Sequence, residues 1–91
     1  MKYEVVFEKD ALKDIKNLIK SGRKSDIKKL HQILNELELN PYTGLGNPEQ
    51  LKYDLSGFWS RRINKKDRII YKVIENPNRV VVVVSALGHY E

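Results

Sequence analysis

The sequence has 91 residues, enough for one compact domain spanning 1–91 and too few for two. Hydrophobic residues make up 41% of the chain and charged residues 32%, and there is no cysteine, so the composition excludes a disordered chain, a disulfide framework and a thiolate zinc site. The formal charge of +5 makes nucleic acid the leading partner class, although many small domains carry a modest positive charge for solubility alone. No apolar run approaches the roughly 20 residues that span a bilayer, and no signal segment is visible, so we expect no membrane association and a cytoplasmic location.

The first half of the chain predicts a strand followed by two helices. Residues 2–7 are rich in valine and aromatic residues, which favours a strand. From Glu8 the apolar residues recur at helical spacing until Ser21 and Gly22 provide a stop. A second amphipathic segment runs from about Ser25 to Leu39 and is closed by Asn40 and Pro41. We expect a helical hairpin that packs on a sheet.

The second half predicts an antiparallel meander. Residues 41–50 contain two prolines and two glycines and are expected to form an ordered loop. Beyond the loop the hydrophobic period changes to two, and Val80–Val84 is apolar at every position, which is typical of a central strand buried on both faces. The fold class is therefore α+β. The predicted strands are Leu51–Leu55, Phe58–Ile63, Arg68–Ile74 and Arg79–Leu87.

The meander is also the most basic part of the chain. Between Glu49 and Lys72 there are seven bases and three acids, interleaved with aromatic residues. Phosphate contacts and stacking surfaces of this kind hold unpaired RNA, although a core sheet with charged turns would give the same pattern. Alternation places Arg61 and Arg62 on opposite faces of their strand, and it leaves open which of them, and whether Arg68, lies on the face away from the helices.

Two other residues have titratable side chains in suggestive positions. Glu49 ends the loop in front of the basic meander, and His89 follows the last strand. A carboxylate among cations can accept a proton, and histidine can give or take one near neutral pH. A cap or surface ion pair for Glu49 and an incidental His89 are the alternatives. Two histidines without cysteine or paired carboxylates give no metal-ligand spacing, so we predict neither a metal site nor a cofactor.

Four stretches of sequence together carry a resemblance to a known family. They are Gly46–Lys52, Leu55–Ile63 (Leu-Ser-Gly-Phe-Trp-Ser-Arg-Arg-Ile), Asp67–Tyr71 and the pair His89-Tyr90. The chain resembles, over essentially its whole length, the YoeB-type toxins of bacterial toxin–antitoxin modules, within the RelE-like superfamily. The resemblance implies a strand, a helical hairpin and a meander, and a ribosome-dependent endonuclease that cleaves mRNA in the A site of the 70S ribosome without a metal. It also implies a homodimer and a YefM-like antitoxin with an acidic, partly disordered C-terminal segment.

The resemblance also implies roles for individual residues. Glu49 would be the general base, Arg68 would stabilise the charged phosphate, His89 would be the general acid and Tyr90 would orient the RNA. Two departures from the family pattern are Glu91, which follows the His-Tyr pair, and Ala86-Leu87-Gly88, which stands where a basic residue often precedes it. A non-catalytic toxin that blocks the A site, or DNA gyrase as ParE-type toxins do, is the alternative. The predicted phosphate contacts, from the resemblance and from the charge pattern, are Lys52, Arg61, Arg62, Lys65 and Lys66.

Overall fold

A strand, two helices and four further strands follow one another along the chain in the computed structural model, which describes residues 2–88. None of the helices in that range is long and apolar enough to cross a membrane. The elements are β1 (Glu4–Phe7), α1 (Lys9–Ser21), α2 (Lys24–Leu39), β2 (Glu49–Gln50), a 3₁₀ turn (Tyr53–Leu55), β3 (Phe58–Arg62), β4 (Arg68–Ile74) and β5 (Val80–Gly88).

The strands form one mixed sheet in the order β1-β5-β4-β3-β2. Strands β2 to β5 pair as an antiparallel meander, and β1 closes the other edge by pairing in parallel with β5, with Glu4 opposite Val80 and Phe7 opposite Val83. The predicted α+β class, with a helical hairpin and a meander, is confirmed. The parallel position of β1 beside the last strand is a feature that local sequence patterns do not specify.

The predicted strand Leu51–Leu55 is wrong. Only Glu49 and Gln50, assigned to the loop by the sequence pattern, pair with β3, and residues 53–55 form a 3₁₀ turn. The physical reason is the left-handed backbone of Tyr53, whose φ is +59° and which turns the chain out of the extended conformation. The strands predicted at 58–63, 68–74 and 79–87 begin and end within one residue of those bounds, and the first strand begins two residues later than predicted.

The two faces of the sheet have different surroundings. The helices pack on one of them, which we call the covered face, and the largest buried side chains are there. The opposite face, which we call the open face, carries Phe58, Ser60, Arg62 and the alternating residues of β4 from Arg68. The predicted central position of β5 is confirmed, since it lies between β1 and β4. Val81 and Val83 are fully buried whereas Val80, Val82 and Val84 are only partly so, and the predicted burial of both faces is therefore complete on one face only. The core contains Leu18, Leu30, Ile33, Leu37, Ile63, Ile69, Tyr71, Val81 and Val83.

Candidate functional site

The open face brings a carboxylate and two guanidinium groups together from three neighbouring strands. Glu49 of β2 lies opposite Ser60 of β3, and Arg62 of β3 lies opposite Arg68 of β4. Arg68 Nη1 is 3.9 Å from Glu49 Oε1 and 3.4 Å from Ser60 Oγ. The strand register therefore assembles two residues, Glu49 and Arg68, that are 19 positions apart in the sequence.

The ion pair between Glu49 and Arg68 is loose and accessible. Its separation of 3.9 Å is longer than a hydrogen bond, and the side chains are 56% exposed for Glu49 and 21% exposed for Arg68. A carboxylate in this setting keeps lone pairs that can accept a proton from a bound hydroxyl. A neighbouring guanidinium can donate hydrogen bonds to an anionic oxygen.

Arg62 and Arg68 form a pair of like charges directly across two strands. Their Cα positions are partners in the β3–β4 register, and alternation directs both side chains to the open face. Like charges directly opposite each other destabilise a sheet, and an anion bound between them would remove that cost. The pair therefore marks this part of the open face as suited to a phosphate.

Arg61 was predicted to contact phosphate, and the structure contradicts this. The side chain is fully buried on the covered face. Its Nη1 donates to Glu36 Oε1 at 2.7 Å, and its Nε donates to the Tyr71 hydroxyl at 3.1 Å. Its Nη2 donates to the main-chain carbonyls of Asn40 and Thr43 at 2.8 and 2.9 Å. The guanidinium is thus occupied by the protein itself, and no part of it reaches solvent.

The buried guanidinium fixes the loop that leads to Glu49. Residues 40–45 supply its carbonyl acceptors, and the O atom of the next residue, Gly46, accepts a hydrogen bond from Arg62 N at 2.6 Å. Gly46 has a φ of +85°, and a Cβ there would lie 2.8 Å from Arg62 O, so only glycine fits without displacing β3. Arg61 therefore acts on the site from the covered face, because it positions the loop that ends in β2.

The predicted lysine contacts lie at the two ends of the open face. Lys65 and Lys66 are exposed in the turn between β3 and β4, where Asn64 Oδ1 accepts hydrogen bonds from the main-chain N–H groups of Lys66 and Asp67 at 2.8 and 2.7 Å. Lys52 is also exposed and follows β2, close to where Leu51 N donates to Phe58 O. All three lysines are exposed, so the ends of the open face carry positive charge that a polyanion can reach.

The end of β5 leads towards the same site. Gly88 pairs with Arg68, and the predicted His89 and Tyr90, together with Glu91, lie outside the described residues. Because β1 ends opposite Val83, no strand of residues 2–88 pairs with the following part of β5 on that side. Asp14 of α1 takes the place of a strand there, since its Oδ2 accepts hydrogen bonds from Ala86 N at 3.1 Å and Leu87 N at 3.4 Å. Sequence reasoning missed Asp14, because one acid among several on an amphipathic helix carries no distinguishing pattern.

A second polar cluster, away from the open-face pair, was also missed. The hydroxyls of Tyr3 and Tyr42 both donate to the carboxylate of Glu75, and these bonds lower the pKa of Glu75 below its usual value. Burial, together with the hydrogen bond to Glu75, raises the pKa of Tyr42. Within residues 2–88, no three His, Cys, Asp or Glu side chains are grouped closely enough to hold a metal ion.

Comparison with known proteins identifies the family. Residues 7–90 match the YoeB-like toxin of the bacterial type II toxin-antitoxin system. Toxin YoeB of Streptomyces coelicolor is 35% identical over 86 residues, which cover 94% of this chain and 98% of its own. The YoeB dimer from Staphylococcus aureus superposes with a TM-score of 0.80 at 32% identity, covering 99% of this chain and 100% of that one. The heterotetrameric YoeB-YefM complex from the same organism has the same identity and coverage and a TM-score of 0.77. With a family match over nearly its whole length and a matching fold, the chain belongs to the YoeB-like toxins of bacterial type II toxin–antitoxin systems.

Proposed function

We propose that this toxin is a ribosome-dependent endoribonuclease that cleaves mRNA in the ribosomal A site. The observation that carries the proposal is the loose, accessible pair of Glu49 and Arg68 on a face that also carries Arg62. An ion pair with only a structural role would be more stable at a shorter distance and with more hydrogen bonds. A carboxylate and a guanidinium held apart and open to solvent suit a substrate that inserts a hydroxyl and a phosphate beside them.

The proposed reaction is an internal transfer of the phosphodiester. Glu49 accepts the proton of a ribose 2′-hydroxyl, and the 2′-oxygen forms a bond to the adjacent phosphorus. The bond from phosphorus to the 5′-oxygen breaks, and His89 gives that oxygen a proton. Arg68 stabilises the charge that develops on the equatorial oxygens, and Tyr90 orients the RNA. The products are a 2′,3′-cyclic phosphate and a free 5′-hydroxyl.

The surrounding cations are proposed to hold the RNA backbone. Arg62 faces Arg68 across the strands, and an RNA phosphate is the anion that would offset their repulsion. Lys52, Lys65 and Lys66 extend the positive surface along both ends of the open face. Arg61 is left out of this set because its guanidinium is buried.

We also propose the partners of this chain from the relatives and from the charge of its surface. A homodimer is proposed because the Staphylococcus aureus relative is described as a YoeB dimer, and a YefM-like antitoxin because a relative is described in a YoeB-YefM complex. An acidic segment that folds on contact suits a basic surface of this size. It is expected to cover Arg62 and Arg68, and replacement of both by alanine should weaken antitoxin binding.

The nucleophile is the most decisive part of the reaction to test. Ribosomes programmed with an mRNA that carries a 2′-deoxy substitution at the nucleotide 5′ to the cut should bind the toxin normally and resist cleavage. Chelators at concentrations that spare the ribosome should leave the rate on the unmodified mRNA unchanged. Cleavage of the deoxy mRNA, or products with a 5′-phosphate, would show that water is the nucleophile. Occupancy of the A site without cleavage of either mRNA would support a blocking toxin, and inhibition of supercoiling in a parallel gyrase assay would support the ParE-type alternative.

A further inference from the structure

Tyr53 combines an unusual backbone with an unusually exposed ring. Its φ is +59°, and it is 88% exposed, the highest value among the exposed large hydrophobic side chains of the described residues. The left-handed conformation is unfavourable for a side chain with a Cβ and costs glycine nothing. A ring in water gains no burial that could offset this cost. A strained backbone that presents an unburied aromatic side chain indicates a function for that side chain.

The position of Tyr53 connects it with the candidate site. It begins the 3₁₀ turn between β2 and β3 and lies four residues after Glu49. Four residues reach at most about 14 Å even when fully extended, so the Cα atom of Tyr53 lies within that distance of the Cα atom of Glu49. The turn is held by hydrogen bonds from Leu55 N to Lys52 O at 3.2 Å and from Ser56 N to Tyr53 O at 3.0 Å. These bonds fix the backbone of the turn, in which the exposed Tyr53 follows Lys52 directly.

The other aromatic residues of the meander already have partners. Tyr71 is fully buried, and its hydroxyl donates to Pro41 O at 2.7 Å. The ring of Trp59 packs against Tyr42 with centroids 5.3 Å apart. The ring of Phe58 lies 6.0 Å from the ammonium of Lys72. Among the aromatic residues of the described part of the meander, Tyr53 is therefore the candidate for stacking on a base.

We propose that Tyr53 is a binding residue on which a base of the mRNA stacks next to the cleaved phosphodiester. The proposal rests on the proposed ribonuclease function, which supplies the RNA. Aromatic rings on positively charged surfaces hold single-stranded RNA in this way, with little dependence on which base is bound. The adjacent Lys52 provides the charge for the neighbouring phosphate, so the turn offers a ring and a cation in consecutive residues.

The test separates the ring from the strained backbone. Tyr53→Gly removes both, so the variant should melt at the same or a higher temperature than wild type and yet bind RNA roughly 10-fold or more weakly, the scale expected for loss of one stacked base. Tyr53→Phe should keep most of the affinity, and Tyr53→Leu, which keeps apolar bulk without a π-face, should not. Affinity is measured with a short single-stranded RNA and with ribosomes carrying a 2′-deoxy mRNA. Leu39→Ser, a change at a 66% exposed residue that ends α2, is the control and should leave affinity unchanged.

The outcomes distinguish this proposal from the proposed function. Tyr53→Gly binding RNA as tightly as wild type, or Tyr53→Leu binding as tightly as Tyr53→Phe, would overturn the stacking role even if the toxin cleaves mRNA. Loss of antitoxin binding without loss of RNA binding would overturn it in favour of a protein contact. If wild type fails to cleave and the glycine variant still loses RNA affinity, the stacking role stands and the ribonuclease function fails.

Discussion

Each face of the sheet carries one arginine paired with one glutamate, and the two pairs are built differently. On the covered face, Arg61 is fully buried and lies 2.7 Å from Glu36, with further donors on main-chain carbonyls and a hydroxyl. On the open face, Arg68 is 3.9 Å from Glu49, and both groups reach solvent. A charge whose donors are all used stabilises the fold, whereas a charge that is only loosely paired can bind a substrate.

The largest effect is expected from removing the buried arginine. Arg61→Ala should lower the free energy of unfolding by about 3 kcal/mol or more, because the Tyr71 hydroxyl and the carbonyls of the 40–45 loop lose their donor. Denaturant unfolding measures this change. Arg62→Ala, one residue away and exposed, is the matched control and should change stability by less than about 1 kcal/mol. Equal losses for the two variants would show that the covered face does not depend on this guanidinium.

The next largest effect is expected on the rate of cleavage and not on stability. Glu49→Gln should slow single-turnover cleavage of mRNA on ribosomes by roughly 10²-fold or more, since it removes the base and keeps the shape. Its unfolding curve and its ribosome affinity should match those of wild type. Glu4→Gln, at an exposed acid of β1, should leave the rate unchanged. A loss of ribosome affinity as large as the loss of rate would point to a structural role for Glu49.

Replacement of Asp14 tests whether a helix on the covered face helps to position the candidate site. Asp14→Asn replaces an anionic acceptor by a neutral amide oxygen, so the hydrogen bonds from the N–H groups of Ala86 and Leu87 should weaken and these groups should exchange faster with solvent. Cleavage should slow by roughly 10-fold, because the end of β5 is displaced and small misplacements of reacting groups lower the rate. The KM for ribosomes should stay unchanged. Asp10→Asn, an exposed acid in the first turn of α1, is the control. Unchanged exchange at both amides would show that the Asp14 carboxylate does not hold this part of β5.

A smaller, two-part effect is expected for Arg62. Arg62→Ala should reduce the salt dependence of RNA binding by about one unit of slope, as for one lost phosphate contact. The same change removes a like-charge pair opposite Arg68, so it should raise the stability of the free protein by roughly 0.2–1 kcal/mol. Lys20→Ala, on the exposed surface of α1, should do neither. A weaker fold together with an unchanged salt slope would contradict the role of Arg62.

The smallest effect concerns the pH dependence at Glu75, a solvated glutamate that nevertheless receives hydrogen bonds. The Tyr42 and Tyr3 hydroxyls lower the pKa of Glu75 from its ordinary 4.5. The resulting stability is present above pH 4.5 and is lost as the pH falls through the lowered pKa. Tyr42→Phe should raise the pKa of Glu75 towards its ordinary value, as followed by NMR titration of the carboxyl carbon. An unchanged titration in this variant would show that the hydroxyl does not set it.

The sequence predicts the elements better than the site, for identifiable reasons. Hydrophobic periods of 3.6 and 2 locate α1, α2 and β3 to β5, because each buries one side. The same alternation separates Arg61 from Arg62 but does not say which side the helices cover. The strand predicted at 51–55 is wrong because the left-handed Tyr53 is a local exception that periodicity does not detect. The proximity of Glu49 and Arg68 depends on strand register, and so no single segment contains it.

The chemistry of the open face is tested most directly by the ends that the toxin leaves on mRNA. Wild-type protein is added to ribosomes programmed with one defined mRNA, and the first-formed fragments are analysed by mass spectrometry beside those from Glu49→Gln. We expect a 2′,3′-cyclic phosphate and a 5′-hydroxyl at a cut in the A site, formed roughly 10²-fold more slowly by the variant. Fragments with a 5′-phosphate, or equal rates for the two proteins, would contradict the proposed reaction.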